Sequence, residues 1–186
     1  MYNDTISLAD PKAIDRQVIA GLYEEHSPGI YRYAYRLLGD QDLAEECVAE
    51  TFSRFLQALH KGQGPDQNVQ AYLYRVAHNW ITDFYRRQPP TVDLDGDDPR
   101  DPAGDPCSAM DERQERERVR AALLKLPSDQ RRVILLRLLE HWSHERVAET
   151  IGKSVEATRS LQSRGLAALR RMLVTEDGND DETKPL

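Results

Sequence analysis

Apolar residues recur every three to four positions along most of this 186-residue chain, the spacing of helices with one buried face. No stretch shows the strict alternation of a half-buried strand. In DQDLAEECVAETFSRFLQAL, from Asp40 to Leu59, the residues Ala44, Val48, Thr51, Phe52, Phe55 and Leu59 share one face. In NVQAYLYRVAHNWITDFYRR, up to Arg87, the stripe is Val69, Leu73, Val76, Ala77, Trp80 and Phe84. The KGQGPDQ segment breaks the pattern between them. Before them, Ser27-Pro28 reads as a helix start, an N-cap followed by Pro in the first turn. That helix runs through IYRYAYRLL to a stop at Gly39. The first half thus predicts three or four helices over residues 1–88.

Residues 89–112 break the helical spacing altogether. The stretch QPPTVDLDGDDPRDPAGDPCSAMDE is rich in Pro, Asp and Gly. It buries too little apolar surface to offset its ordering entropy, and its charges repel one another. It predicts a flexible acidic linker. Helical spacing resumes in residues 113–173 with DERQERERVRAALLKL, then SDQRRVILLRLLEHW after Pro127. A short helix, SHERVAETIG, and a basic helix from Ser154 to Arg171 follow. Residues 174–186 predict an acidic, disordered tail. The expected fold class is all-α: two small helical domains joined by a flexible acidic linker, the second containing a helix-turn-helix.

Charge sharpens this division. The chain carries a net −7, with a pI near 5.3. Pro89 to Glu112 holds eight acids against one Arg, and Val174 to Leu186 five acids against Lys184. The acid is therefore concentrated in the linker and the tail, and the helical segments are mildly basic. The distribution of charge, rather than its sum, governs what a surface attracts.

The basic charge gathers on the last helix. With Thr158 at the centre of one face, Val155, Leu161, Gln162, Gly165, Leu166, Leu169 and Met172 lie near it. Arg159, Ser160, Ser163, Arg164, Arg170 and Arg171 lie opposite, with Glu156 among them. An apolar back and a front of Arg and Ser suit a helix lying in a DNA major groove. Ala148 and Gly152 stand where a helix-turn-helix needs a close approach and a tight turn. A solvated bundle helix is the other reading.

Two further stripes admit two readings each. Asp42, Glu46 and Glu50 repeat every fourth residue on the side away from the apolar stripe. Like charges at that spacing cost stability. They form either a solvated face or a contact for a basic partner. On the helix to Arg87, Tyr72, Arg75, Asn79 and Arg86 lie opposite the apolar stripe, with Asp83 at its margin. They are a polar surface, or a set able to hydrogen-bond a base, hold phosphates and stack.

Catalytic chemistry is not suggested. There is no glycine-rich phosphate loop and no recognisable nucleophile arrangement, so the chain is expected not to be an enzyme. The five His are scattered, and no cofactor or metal is expected. Cys47 and Cys107 give neither a disulfide framework nor a metal-ligand spacing. Cys47 is expected in the core, and Cys107 exposed in the linker. The N-terminal residues do not read as a secretory signal, and no apolar run reaches ~18 residues. A cytoplasmic protein without direct membrane insertion is the expectation.

The two halves together resemble bacterial RNA polymerase sigma factors of the extracytoplasmic-function group, over roughly residues 18 to 173. LYEEHSPGIYRYAYRLLGDQDLAEECVAETFSRFLQAL is similar to the family's first two conserved helices. AYLYRVAHNWITDFYRR is similar to its YLYRIARN…DYxRR helix. ALLKLPSDQRRVILLRLLEHWSHERVAETIGKSVEATRSLQSRGLAALR is similar to its terminal domain. The resemblance implies that Asp42, Glu46, Ala49 and Glu50 bind core RNA polymerase at the largest subunit's clamp helices, with the flap as a second contact. It implies that Tyr72, Arg75, Asn79, Asp83 and Arg86 bind the −10 promoter element, Asn79 touching a flipped base. Lys153, Glu156, Arg159, Ser160, Ser163 and Arg164 would bind the −35 element as duplex. The linker would thread toward the RNA-exit path. An anti-sigma factor is a further candidate partner.

Three positions depart from the family pattern. Ala49 stands where Gln is usual. Thr158 stands where an apolar β-branched residue is usual. Gly165 replaces Ala, at a cost to the helix of up to ~1 kcal/mol. The alternative function is a stand-alone helix-turn-helix regulator, which would bind duplex DNA without polymerase. An enzyme acting on nucleic acid would need a catalytic constellation that the sequence does not offer.

Overall fold

The computed structural model describes residues 16–65, 67–87 and 106–177. These hold seven helices: α1 (Arg16–Leu38), α2 (Gln41–His60), α3 (Val69–Arg87), α4 (Pro106–Lys125), α5 (Ser128–Leu138), α6 (His144–Ile151) and α7 (Val155–Asp177). No strand occurs among the described residues. The chain divides into two compact units, one holding α1–α3 and the other α4–α7.

In the first unit α1, α2 and α3 pack against one another. The core is the predicted stripe of α2 with Cys47 added, closed by Ile30, Tyr33, Ala34 and Leu37 from α1 and by Leu73, Tyr74, Ala77 and Ile81 from α3. Tyr33 and His78 share a hydrogen bond of 2.7 Å inside it. Cys47 is buried, its thiol 3.9 Å from the Ala77 carbonyl, and burial pushes its pKa up to about 12. The stripe predicted for α3 is rotated slightly: Tyr74, His78 and Ile81 are buried, while Val69, Val76 and Phe84 are only half-buried.

The turns follow their chemistry. Gly39 ends α1 at φ 70, a conformation that suits glycine, and its amide donates to the Tyr35 carbonyl at 2.8 Å. Asp40 caps α2 through the Leu43 amide at 2.8 Å. Asn68 accepts the Ala71 amide at 2.9 Å and so starts α3.

Four expectations are corrected. α1 does not begin at Ser27-Pro28; it begins by Arg16 and carries Pro28 inside it. Pro28 is exposed, so water can serve the carbonyl left without a partner. The upstream turns are held by packing: Tyr23 lies 4.8 Å from the Phe52 ring of α2, and His26 is buried. α4 starts at Pro106, well inside the stretch read as linker, so Cys107 is helical; its side chain lies outside the description. α5 stops at Leu138 rather than Trp142. His141 turns left-handed at φ 52, and Trp142 folds back to be buried. α7 continues to Asp177, into the stretch read as tail. The remaining linker and tail residues, 89–105 and 178–186, lie outside the described residues.

In the second unit α7 packs on α4, α5 and α6. Leu123, Leu126, Val133, Ile134, Leu136, Trp142 and Val147 build its core. Arg132 is buried and donates to the Thr150 carbonyl at 3.1 Å, tying α5 to the end of α6.

Candidate functional site

The helix-turn-helix is α6, the Gly152 turn and α7. Ser143 caps α6 through the Arg146 amide at 3.2 Å. Ala148 is buried, which lets the helices approach. Gly152 ends α6 at φ 68, and the Lys153 amide donates to the Ala148 carbonyl at 3.0 Å. Ser154 then restarts the chain, its hydroxyl accepting the Ala157 amide at 3.2 Å. A left-handed glycine between two Ser-capped helices is thus the whole turn.

This register decides which side of α7 is free. Thr158 and Gly165 are buried, and Val155, Leu161, Gln162 and Leu169 are half-buried. Leu166, placed on the apolar side from sequence, is 39% exposed instead. The Thr158 hydroxyl donates to the Ser154 carbonyl at 3.0 Å, so the unusual polar group at this position is satisfied. His144 and Gln162 meet at 2.7 Å and join the start of α6 to the middle of α7.

The opposite side carries the expected residues. Lys153, Glu156, Arg159, Ser160, Ser163 and Arg164 are all exposed. They are not equally free. Lys153 pairs with Asp129 at 3.0 Å, and Arg159 lies 3.8 Å from Glu145. Its own backbone amide and the Ser143 hydroxyl hold the Glu145 carboxyl below the usual range, with Arg159 adding to the effect. Arg164 donates back to the Ser160 carbonyl at 3.3 Å. Glu145 reaches this face from α6 through Arg159, and its neighbour Arg146 stacks 4.5 Å over the Trp142 ring. The wheel of a single helix could not find them, because they come from its neighbour.

On α3, Arg75, Asn79 and Arg86 are exposed and Asp83 is half-buried. Asp83 and Arg86 pair with each other at 3.1 Å. Tyr72 departs from the expectation of a polar face opposite the stripe. It is half-buried, its ring 5.9 Å from Phe55 of α2, with Arg75 5.6 Å over it. Trp80 is buried and stacks on Phe84 at 5.7 Å, so this pair belongs to the packing.

On α2, Asp42, Glu46 and Ala49 are exposed on one side. Glu50 is half-buried and bonds Arg54 at 2.7 Å, which offsets part of the repulsion within the stripe. Among the described residues no group of three or more His, Cys, Asp or Glu could hold a metal ion, and no helix is long and apolar enough to cross a membrane.

Comparison with known proteins matches both units. Residues 22–89 match the family described as Sigma-70 region 2, and residues 116–169 match Sigma-70, region 4. The chain is 30% identical to the ECF RNA polymerase sigma factor EcfG of Rhodopseudomonas palustris, over 82% of this chain and 83% of that one. It is 32% identical to the ECF sigma factor SigE of Mycolicibacterium smegmatis, over 82% of this chain and 60% of that one. It is 27% identical to the ECF sigma factor SigX of Bacillus subtilis, over 88% of each. Its fold is similar to that of CnrH, solved in complex with the cytosolic domain of CnrY, with TM-score 0.65, 24% identity, and coverage of 92% of this chain and 97% of that one. It is also similar to the sigma factor RpoE of Bartonella quintana, solved with the anti-sigma factor NepR, with TM-score 0.59, 19% identity, and coverage of 83% and 95%. Two sigma-70 regions in order on one all-α chain, and curated relatives of one kind along most of its length, make this protein a member of the extracytoplasmic-function RNA polymerase sigma factors, which bind core RNA polymerase and promoter DNA in transcription initiation.

Proposed function

We propose that this sigma factor divides promoter recognition between its two units, with α7 reading the −35 element as duplex and α3 helping to open the −10 element. The observation that carries this is the exposed ladder Arg159, Ser160, Ser163 and Arg164, on a helix whose other side is seated on α5 and α6. Arg can contact two acceptors of guanine together, and Ser can hold a phosphate. Arg75, Asn79 and Arg86 offer α3 a base-edge contact and two cations for an unpaired strand. Tyr72, leaning on Phe55, supports that surface from beneath.

The exposed acids Asp42 and Glu46 of α2 fit a basic helix on the largest polymerase subunit. Glu50 acts there through its bond to Arg54. Tethering both units to core raises their effective concentration on DNA, so an acidic chain needs little affinity for DNA of its own. The protein makes and breaks no bond; its work is specificity. The fold neighbour RpoE of Bartonella quintana is held by the anti-sigma factor NepR, which supports an anti-sigma protein as a further partner here.

The test is co-elution with sigma-free core polymerase, followed by footprinting on a promoter. Core binding with protection of both elements is expected. Tight duplex binding without core, and no co-elution, would favour the stand-alone regulator.

A further inference from the structure

Between the start of α5 and the second half of α7 lies an open groove of about 940 Å³. Pro127, Gln130, Ala167, Ala168 and Val174 form its mainly apolar lining, and Arg164, Arg170 and Arg171 stand on it as exposed cations.

We propose that the groove is the docking site of this chain's own acidic segment 178–186, which lies over Arg170 and Arg164 and competes there with DNA. Three observations select this occupant. α7 is described to Asp177, three residues beyond the groove residue Val174, so the segment follows directly on the groove's edge. Its acids Asp180, Asp181 and Glu182 complement these Arg, and Pro185 and Leu186 offer apolar surface to Ala167 and Ala168. The reach also fits. Arg170 lies seven residues back from Asp177 and Arg164 thirteen, about 10 and 20 Å at ~1.5 Å per residue. A chain doubling back at ~3.3 Å per residue passes Arg170 by Asp181 and comes level with Arg164 near Thr183.

The attraction is between exposed charges, so each pair is weak. Covalent attachment supplies the high local concentration that makes several weak pairs effective. The competition with DNA rests on the reading of α7 given above; the docking itself does not.

The test uses the full chain with Cys107→Ser and a nitroxide on Thr183→Cys, Cys47 being buried. Amide signals of Gln130, Ala167 and Ala168 are expected to broaden, those of α6 to stay sharp, and the broadening to fade in high salt. Sharp groove signals at low salt overturn the proposal. So does equal broadening from a nitroxide on Asp101→Cys, which would give the groove to the linker acids. So does broadening that appears only between differently labelled molecules. Neutralising the segment (Asp180→Asn, Asp181→Asn, Glu182→Gln) is expected to raise duplex affinity by roughly three- to tenfold at low salt. Broadening with unchanged duplex affinity would support the docking and count against the DNA reading of α7.

Discussion

A methyl group placed on Gly165 would lie 2.6 Å from Ile134 Cδ1 and 3.3 Å from Gln130 Cβ. The glycine in the middle of α7 is therefore the partner of an isoleucine on α5. Its helix cost, up to ~1 kcal/mol, is exchanged for a close approach of the two helices. Gly165→Ala is expected to destabilise the second unit by about 1 kcal/mol, because overpacking of ~1–3 kcal/mol exceeds the helix gain. Ile134→Val removes the clashing methyl. The double variant should then be more stable than the two single changes sum to, by ~1 kcal/mol, in a chemical-denaturation cycle. Additive effects would show that the clash is relieved elsewhere.

Thr158 gives the opposite expectation. It is fully buried, and its hydroxyl spends its bond on the Ser154 carbonyl, which already accepts the Thr158 amide at 3.0 Å. Replacing the hydroxyl by a methyl of the same shape leaves that carbonyl paired with the amide, so the loss is limited to about 1 kcal/mol. Thr158→Val should leave the melting temperature within a few degrees and leave DNA binding intact. A loss of more than ~2 kcal/mol would mean that the hydroxyl also serves the turn.

Cys47 makes stability depend on alkali. Its folded pKa is about 12, raised by burial. The unfolded thiol ionises near its ordinary value of ~8.5. The unfolded chain thus releases this proton first. Its contribution is fully present below that value and is lost as pH rises toward 12, by at most ~1.4 kcal/mol per pH unit. Unfolding free energies of the protein and of Cys47→Ala should differ by a constant at pH 7–8 and converge as pH rises. In a Cys107→Ser background, alkylation of Cys47 at pH 8 should require denaturant.

Most of the fold was legible because it rests on local rules. The α2 stripe, the Gly39 stop and the Gly152 turn follow from spacing and from residues with one conformational use. The errors share a cause: a local signal was outweighed by, or depended on, packing that spacing does not contain. Pro favours a helix's first turn, yet Pro28 lies mid-helix because Tyr23 and His26 pack upstream. Leu166 counted as apolar on the wheel, yet α5 and α6 cover only part of α7. The candidate DNA-facing side chains were legible on α7 itself. Their restraints, Glu145 on Arg159 and Asp129 on Lys153, were not, since they join residues far apart in the chain.

That restraint on Arg159 yields the last prediction. Glu145 and Arg159 are 3.8 Å apart, with side chains 65% and 59% exposed, so the pair adds little to stability. Its consequence is for DNA. Glu145 places a carboxylate beside a cation expected in the major groove, where it holds Arg159 back and repels phosphate. Arg159→Ala and Arg164→Ala should each weaken promoter binding by the holoenzyme by ~1–3 kcal/mol and leave core binding unchanged. Glu145→Gln should strengthen promoter binding several-fold, with the gain much smaller when Arg159 is already Ala. Because the Glu145 carboxyl is held below the usual range, these differences should be the same at pH 6 and pH 8. Quantitative footprinting of the unaltered holoenzyme and of these four variants would measure them. An equal gain from Glu145→Gln with and without Arg159 would mean that the carboxylate acts on the phosphates alone.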